Sequence, residues 1–309
     1  MKIKPTTAAP LLLIVVLLLT AAGRLIPAAK LAVNGSPYLS VIVIQLLIFA
    51  LPAVFYCTLR GKEFRRGLRI RPFSLSSVIL IVSASLLIIS GAGLIGAGMS
   101  AISPEAFSSS SPVASAGVGF GRGSGVFDGL YVVTAFALAP AITEEVLFRG
   151  IMLTEYTGRG IFCAVMVSSL AFAMSHFSFA RFPIYLFSGI VLAAVTFATR
   201  SLVASMIVHL LNNIYVIFFE DYVIYLAKRQ NVSSVLILFI LACLFFIAAI
   251  VTSFEASSLY KTYGKTNADS SYLPDRKKRG SVLKAFSESV FSPVFLAAVV
   301  IFVVVTYIT

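Results

Sequence analysis

Long uncharged apolar stretches run through this sequence and restrict it to one fold class. Residues 38–59 and 74–102 contain no Asp, Glu, Lys or Arg. A stretch of about 20 apolar residues is long enough to cross a bilayer as a helix. Because a bilayer offers no water to backbone N–H and C=O groups, such a segment satisfies them by forming a helix. The chain is therefore predicted to be an all-α, polytopic membrane helix bundle.

The composition agrees with a membrane protein and argues against a nucleic-acid-binding one. Hydrophobic residues make up 59% of the chain and charged residues only 12%, whereas a soluble domain carries about 25% charged residues. The net charge of +12 comes from basic residues that cluster in loops between apolar stretches, where membrane topology places them. We therefore expect the lipid bilayer, and no nucleic acid, as the partner of this surface.

The apolar pattern predicts about nine transmembrane helices. The fourth begins near residue 127 and the others cover 11–29, 38–59, 74–102, 161–177, 183–199, 202–219, 232–254 and 289–308. The chain divides into N-terminal helices with a Ser/Gly loop, a motif-bearing core, and C-terminal helices with a basic loop, at 1–126, 127–220 and 221–309.

Two strongly basic loops set the predicted orientation of these helices. Loops 60–71 and 255–288 are both rich in Lys and Arg, and such loops stay on the cytoplasmic side. Nine helices with a cytoplasmic N-terminus place both loops inside and the Ser/Gly loop 103–125 outside. We expect a multi-pass protein of the cell membrane rather than of an internal membrane.

Two adjacent carboxylates and an arginine interrupt the fourth apolar stretch. Charged groups at bilayer depth are costly, so they face the protein interior, pair with each other or line a watery cavity. Glu145 and Arg149 are four residues apart and share one helix face, so they are predicted to pair. Glu144 points about 100° away from Glu145 and is left free for another partner.

The remaining polar residues in this region suggest a hydrolytic site. The only two histidines of the chain are His176 and His209, and Asn213 shares a helix face with His209. Each of these residues alone also fits a buried hydrogen-bonding strut between helices. Together with Glu144 they come from three helices and are expected to converge on one polar cavity.

The residue types fit a water activated by a carboxylate. Glu144 would be the general base and His176 would hold the water or shuttle its proton. His209 and the Asn213 amide would donate hydrogen bonds to the oxyanion of a tetrahedral intermediate. A zinc site built from both histidines and Glu144 lacks the H-E-x-x-H spacing. A Ser175 nucleophile would point away from its neighbour His176, because adjacent residues on a helix face different directions.

Three motifs in this order resemble those of the CPBP family. E-E-x-x-x-R begins at Glu144, F-x-x-x-H runs from Phe172 to His176, and H-x-x-x-N runs from His209 to Asn213. The family comprises type II CAAX prenyl endopeptidases and bacteriocin-processing or immunity proteins, and is also called the Abi family. The resemblance covers about residues 127–219, so the last helix and the basic loop before it look like an addition.

The resemblance implies an eight-helix core and a glutamate-dependent intramembrane endopeptidase without a metal or other cofactor. By motif position Glu144 would be the base, with His176 helping to activate the water. His209 and Asn213 would form the oxyanion hole, while Glu145 and Arg149 would order the site. The substrate would be a membrane-associated peptide or a lipidated protein.

Two other function classes stay open at this point. Some family members work as non-proteolytic scaffolds or immunity factors. A transporter would be favoured by internal inverted repeats, which the sequence does not show. One feature also opposes a common site, because helix lengths place His176 nearer the outer side and Glu144 nearer the inner. The two meet if the fifth helix is tilted or starts deeper, or if the fourth extends to about Thr157.

Overall fold

A computed structural model of the protein describes residues 5–25, 37–104, 126–265 and 279–308. Within these ranges helices are the only regular secondary structure. The first three are α1 (Pro5–Leu25), α2 (Pro37–Gln45, Leu46–Ala50 and Leu51–Arg66 in succession) and α3 (Val78–Ile102). Helix α4 is continuous through Val126–Val132, Val133–Leu138, Ala139–Glu145, Val146–Met152 and Leu153–Thr157. The others are α5 (Ile161–Met174), α6 (Phe182–Thr199), α7 (Leu202–Phe218), α8 (Glu220–Arg229), α9 (Ser234–Lys265), α10 (Arg279–Val290) and α11 (Pro293–Ile308).

The polytopic all-α class predicted from the sequence is confirmed. In the described part of the chain, seven helices are long and apolar enough to cross a membrane. The predicted fifth span is the shorter apolar helix α5, and the predicted ninth span lies in a bent pair formed by α10 and α11. Which side of the membrane each loop faces stays a prediction. The Ser/Gly loop lies almost entirely outside the described residues.

Two boundaries near the C-terminus differ from the sequence prediction. Helix α9 continues to Lys265, although a polar loop was expected from residue 255. A helix of 32 residues is about 48 Å long, so its polar end extends beyond a hydrocarbon core of about 30 Å. The last apolar helix begins at Pro293 rather than at residue 289, after a bend of 58°. Proline has no N–H to donate and therefore suits the first turn of a new helix.

Helix α4 lies at the centre of the bundle. Its segment Val146–Met152 packs against α2, α5, α6 and α7. The fully buried side chains of α4 include Leu147, Phe148, Arg149, Ile151, Met152, Leu153 and Tyr156. The charged stretch in the middle of α4 is thus enclosed by protein and shielded from lipid, as its desolvation cost requires.

The outer helices form two packed groups around α4. One hydrophobic cluster joins α1, α2, α5 and α11 to α4, and the other joins α3, α6, α7 and α9. Helices α6 and α7 are antiparallel neighbours, because Arg200 ends α6 in the left-handed conformation and the Ser201 side chain caps α7. This tight turn brings the histidine of α7 alongside α4.

Candidate active site

The two glutamates stand where α4 changes its helical form. Ala139–Glu145 is α-helical, whereas Val146–Met152 is a π-helix in which the Leu153 N–H bonds to the Phe148 carbonyl. Short π segments within α-helices are rare and are often found at functional sites. The first two motif residues therefore sit directly before an irregular turn that spreads the side chains following them.

Glu145 lies between two nitrogen donors in a fully buried cluster. Its Oε1 accepts a hydrogen bond from Arg149 Nη1 at 2.6 Å and lies 3.0 Å from His209 Nδ1. Neither Glu145 nor Arg149 is exposed to solvent. Arg149 also donates to the Gly189 carbonyl at 3.4 Å and lies 4.2 Å from the centre of the Phe172 ring. The pairing of Glu145 with Arg149 that helix geometry predicted is confirmed.

Glu144 faces a different part of the bundle from Glu145. Its Oε1 accepts a hydrogen bond from Gln45 Nε2 at 3.0 Å. Its Oε2 lies 4.0 Å from His176 Nε2 and has no hydrogen-bond donor among the described residues. Glu144 is only 8% exposed, so it is a buried carboxylate with one oxygen held and the other turned towards a histidine.

The length of α4 explains how Glu144 and His176 reach the same depth. Helix α4 extends to Thr157, and α5 starts at Ile161 after a short turn. Glu144 lies 13 residues before Thr157, and His176 lies 15 residues after Ile161. Each is therefore about 20 Å from the turn that joins two antiparallel helices. The third of the three alternatives left open by the sequence is the one that the structure adopts.

The orientation of the His176 ring is set by two contacts. Its Nδ1 lies 2.8 Å from the Phe172 carbonyl, which can only accept a hydrogen bond, so Nδ1 carries a proton. The ring stacks on Tyr185 with centroids 3.8 Å apart and planes 20° from parallel. In the neutral ring Nε2 is then an acceptor, and it is this atom that faces Glu144.

The gap between Glu144 and His176 has the right size for one bridging water. Two acceptors 4.0 Å apart can each lie about 2.8 Å from the same oxygen. The angle between the two hydrogen bonds at that oxygen is then about 90°. A water in this place donates both protons, so its lone pairs are free to attack an electrophile.

His209 and Asn213 both contact α4, at different heights. His209 turns its Nδ1 to Glu145 rather than to Glu144. The Asn213 amide donates to the Ala137 carbonyl at 3.4 Å, about two turns before the glutamates. In the structure Glu144 thus lies beside His176, and Glu145 lies beside His209. The Phe172 ring lies between the two histidines, at centroid distances of 4.8 and 5.7 Å.

An apolar cavity of about 400 Å³ between α3 and α7 lies away from these residues. Its lining includes Leu211 and Ile214, which are rotated about 200° and 140° from His209 around α7. The expectation that all four predicted residues open onto one polar cavity stays a prediction.

Two residues in contact with the site escaped the sequence analysis. Gln45 of α2 binds Glu144 and also reaches the Thr143 hydroxyl at 3.3 Å. It is the only amide side chain in the uncharged stretch 38–59, a signal that could have identified it. Tyr185 gave no such signal, because a tyrosine in an apolar helix has many other uses.

The described residues contain no group of three His, Cys, Asp or Glu side chains arranged to hold a metal ion. His209 Nδ1 and His176 Nδ1 are occupied by Glu145 and the Phe172 carbonyl. Independence from metal stays a prediction for experiment.

Comparison with known families identifies the central part of the chain. Residues 126–215 match the family model described as type II CAAX prenyl endopeptidase Rce1-like. This stretch is similar to that family, and we call residues 126–215 the Rce1-like domain. The match begins with α4, ends in α7 and includes all three motifs, consistent with the CPBP family that they indicated. No curated protein and no solved structure matches the chain.

At the level of the family, the Rce1-like domain supports a CAAX-type intramembrane protease. The chain is an integral, multi-pass membrane protein. Gln45, which contacts the Rce1-like domain at Glu144, lies outside the matched residues.

Proposed function

We propose that this protein is an intramembrane endopeptidase that hydrolyses a peptide bond of a membrane-associated substrate with a glutamate-activated water. The observation that carries the proposal is the position of Glu144. One of its oxygens is held by Gln45, and the other is buried, lacks a hydrogen bond within the described structure and faces His176 Nε2 at 4.0 Å. A general base needs one oxygen free to take a proton from water, and at Glu144 that oxygen also faces a histidine.

The proposed reaction begins with the water between Glu144 and His176. Glu144 Oε2 removes a proton as the water oxygen adds to the peptide carbonyl carbon, and His176 Nε2 accepts the second hydrogen bond of that water. The C–N bond of the tetrahedral intermediate then breaks as Glu144 returns the proton to the departing amine. The products are one carboxylic acid and one amine, and Glu144 ends as the carboxylate with which it began.

We assign to His209 and Asn213 the stabilisation of the negative charge that develops on the carbonyl oxygen. The Asn213 amide has two N–H groups, and only one is directed at the Ala137 carbonyl. Because His209 Nδ1–H donates to Glu145, Nε2 donates to an oxyanion only when the ring carries both protons. Glu145 and Arg149 order this half of the site through their buried ion pair.

The substrate class follows from where the site lies. Glu144 is about halfway along the membrane helix α4, and His176, just past the end of α5, lies beside it. The scissile bond therefore has to reach them from a chain that is itself in or on the bilayer. We assign this role to a membrane-associated peptide or lipidated protein of the cell membrane. The alternative is a scaffold or immunity protein of the same fold, and a test of peptide hydrolysis distinguishes it from an endopeptidase.

The proposal is tested with the purified full-length protein in lipid nanodiscs. Quenched peptides with and without a prenylated cysteine serve as probes, and hydrolysis is run in ¹⁸O-labelled water so that the new carboxylate carries the label. We expect Glu144→Gln to lower turnover about 10²–10⁴-fold, the usual contribution of a general base. Glu63→Gln is the matched control, because Glu63 pairs with Arg66 on the exposed surface.

Three results would overturn the proposal. Equal cleavage by the wild type and Glu144→Gln, or no labelled product from any probe, would favour the scaffold. Activity that is lost in chelator and restored by added zinc would indicate a metalloprotease. We expect activity to survive chelation.

A further inference from the structure

The segment that carries His176 follows the end of α5 in an irregular conformation. Helix α5 ends at Met174, and Phe177 has a φ of 43°, a left-handed value that is unusual for a bulky residue. Such a turn needs support from its surroundings. It also directs the carbonyls of His176 and Phe177 away from the helix, where they require hydrogen-bond donors from elsewhere.

Arg24, near the end of α1, supplies those donors. Its Nη2 donates to the His176 carbonyl at 2.7 Å and its Nη1 reaches the Phe177 carbonyl at 3.5 Å. The guanidinium also lies over the Phe177 ring, 5.3 Å from its centre. A cation at the C-terminal end of a helix is favoured by the helix dipole. One side chain from a helix that is distant in sequence thus fixes the backbone at and after His176.

The same segment also packs against Phe302 of α11. The Phe302 ring lies 6.1 Å from Phe177, 5.3 Å from Phe179 and 5.6 Å from Phe182, centre to centre. Phe302 is only 5% exposed, so this contact is a packed core and not a lipid-facing surface. Helix α11, which the sequence suggested was an addition, therefore supports the segment between α5 and α6.

Helices α1 and α11 also pack directly against each other. They come from the two ends of the described chain, and both lie outside residues 126–215 of the Rce1-like domain. Arg24 and Phe302 thus belong to one packed unit that contacts the segment from Ser175 to Phe182 at several points. We call this unit the α1–α11 clamp.

We propose that the α1–α11 clamp sets the position of the His176 ring, with Arg24 and Phe302 as positioning residues. The backbone conformation at 176–177 sets the position of the ring relative to Glu144 and Tyr185. Arg24 and Phe302 stabilise that conformation. The catalytic consequence rests on the proposed function of His176, whereas the positioning itself does not. Sequence outside the recognised domain therefore tunes the water site within it.

The chain contains only two histidines, which makes the positioning directly measurable. Full-length protein labelled with ¹³C,¹⁵N-histidine in nanodiscs gives two imidazole spin systems, and His176→Gln assigns them. Stacking on Tyr185 shifts the His176 ring protons upfield. We expect Arg24→Gln to move the His176 signals downfield and leave His209 in place. Arg66→Gln is the control, because Arg66 pairs with Glu63 on the exposed surface.

A second variant tests the other side of the clamp independently. Phe302→Leu should shift or broaden the His176 signals in the same way, whereas Phe254→Leu should not, because Phe254 is 71% exposed. If either clamp variant does not fold, the other carries the test. In peptide hydrolysis we expect both to lower kcat by about 10²-fold with KM unchanged, the loss expected from a misplacement of about 1 Å.

The possible outcomes separate the clamp from the proposed function. Unchanged His176 signals in Arg24→Gln and Phe302→Leu would overturn the clamp, and so would equal movement of both histidines. A selective His176 shift in a protein without peptidase activity would support the clamp and overturn the proposed function.

Discussion

Adjacent glutamates with different roles give the sharpest prediction, because the same substitution should strongly destabilise the protein at Glu145 and leave its stability almost unchanged at Glu144. In Glu145→Gln, Arg149 keeps its charge and has no exposed surface. Its remaining partners are all neutral: the oxygen of the new amide, the Gly189 carbonyl at 3.4 Å and the face of Phe172. Removing one partner of a buried ion pair costs about 3–5 kcal/mol. We therefore expect the unfolding equilibrium constant to rise about 10²–10⁴-fold.

Glu144→Gln should leave stability almost unchanged. The new amide has the same shape, and its oxygen can still accept the hydrogen bond that Gln45 donates to Glu144 at 3.0 Å. No arginine or lysine among the described residues forms an ion pair with Glu144, so no cation is left alone. We expect a change within about 1 kcal/mol, the size of one neutral hydrogen bond.

The measurement is equilibrium unfolding in mixed micelles of a mild detergent and sodium dodecyl sulfate. The chain has 12 tyrosines and no tryptophan, so tyrosine fluorescence reports the transition. The double variant Glu145→Gln/Arg149→Met removes both charges and should be more stable than Glu145→Gln alone, because an apolar replacement for a buried ion pair is often neutral. Equal stability of Glu144→Gln and Glu145→Gln would refute the different roles of the two glutamates. So would a double variant that is no more stable than Glu145→Gln.

Two further predictions concern the oxyanion and the topology. Asn213→Ala should lower peptide turnover about 10²–10³-fold, the usual loss for one oxyanion donor, with KM little changed; a loss below threefold would remove Asn213 from the site. For topology, a membrane-impermeant thiol reagent should modify a cysteine placed at Ser110 and not one at Lys277, two positions outside the described residues; the reverse labelling would invert the predicted orientation.

The part of the site that depends on local geometry could be predicted from the sequence. Two charges four residues apart in an apolar helix have to face each other, because neither lipid nor an isolated side chain can compensate them. The structure has this pair, Glu145 with Arg149. The different direction of Glu144, about 100° from Glu145, followed from the same helical rotation. The motifs also identified the Rce1-like domain before any geometry was available.

The part that depends on packing between helices could not be predicted. Whether His176 reaches Glu144 depended on the tilt and start of α5 and on how far α4 continues, which the sequence left open. In the structure Glu155 is buried and bonded to Tyr56 and Arg60 of α2. That contact allows the helix to continue to Thr157. The extra length brings Glu144 and His176 to the same depth in the bundle.

The sequence by itself determined the membrane class, the helical fold and the charge pair, because each follows from the cost of placing polar groups in hydrocarbon. Only the tertiary structure decided which partners the site residues have. The contacts of Gln45 with Glu144, Tyr185 with His176 and Arg24 with the His176 carbonyl join residues that are 99, 9 and 152 positions apart and lie on different helices or on the turn between them. Backbone N–H and C=O groups form their hydrogen bonds within each helix, so they do not indicate which helices are neighbours. The pairing of side chains is set by how the helices pack.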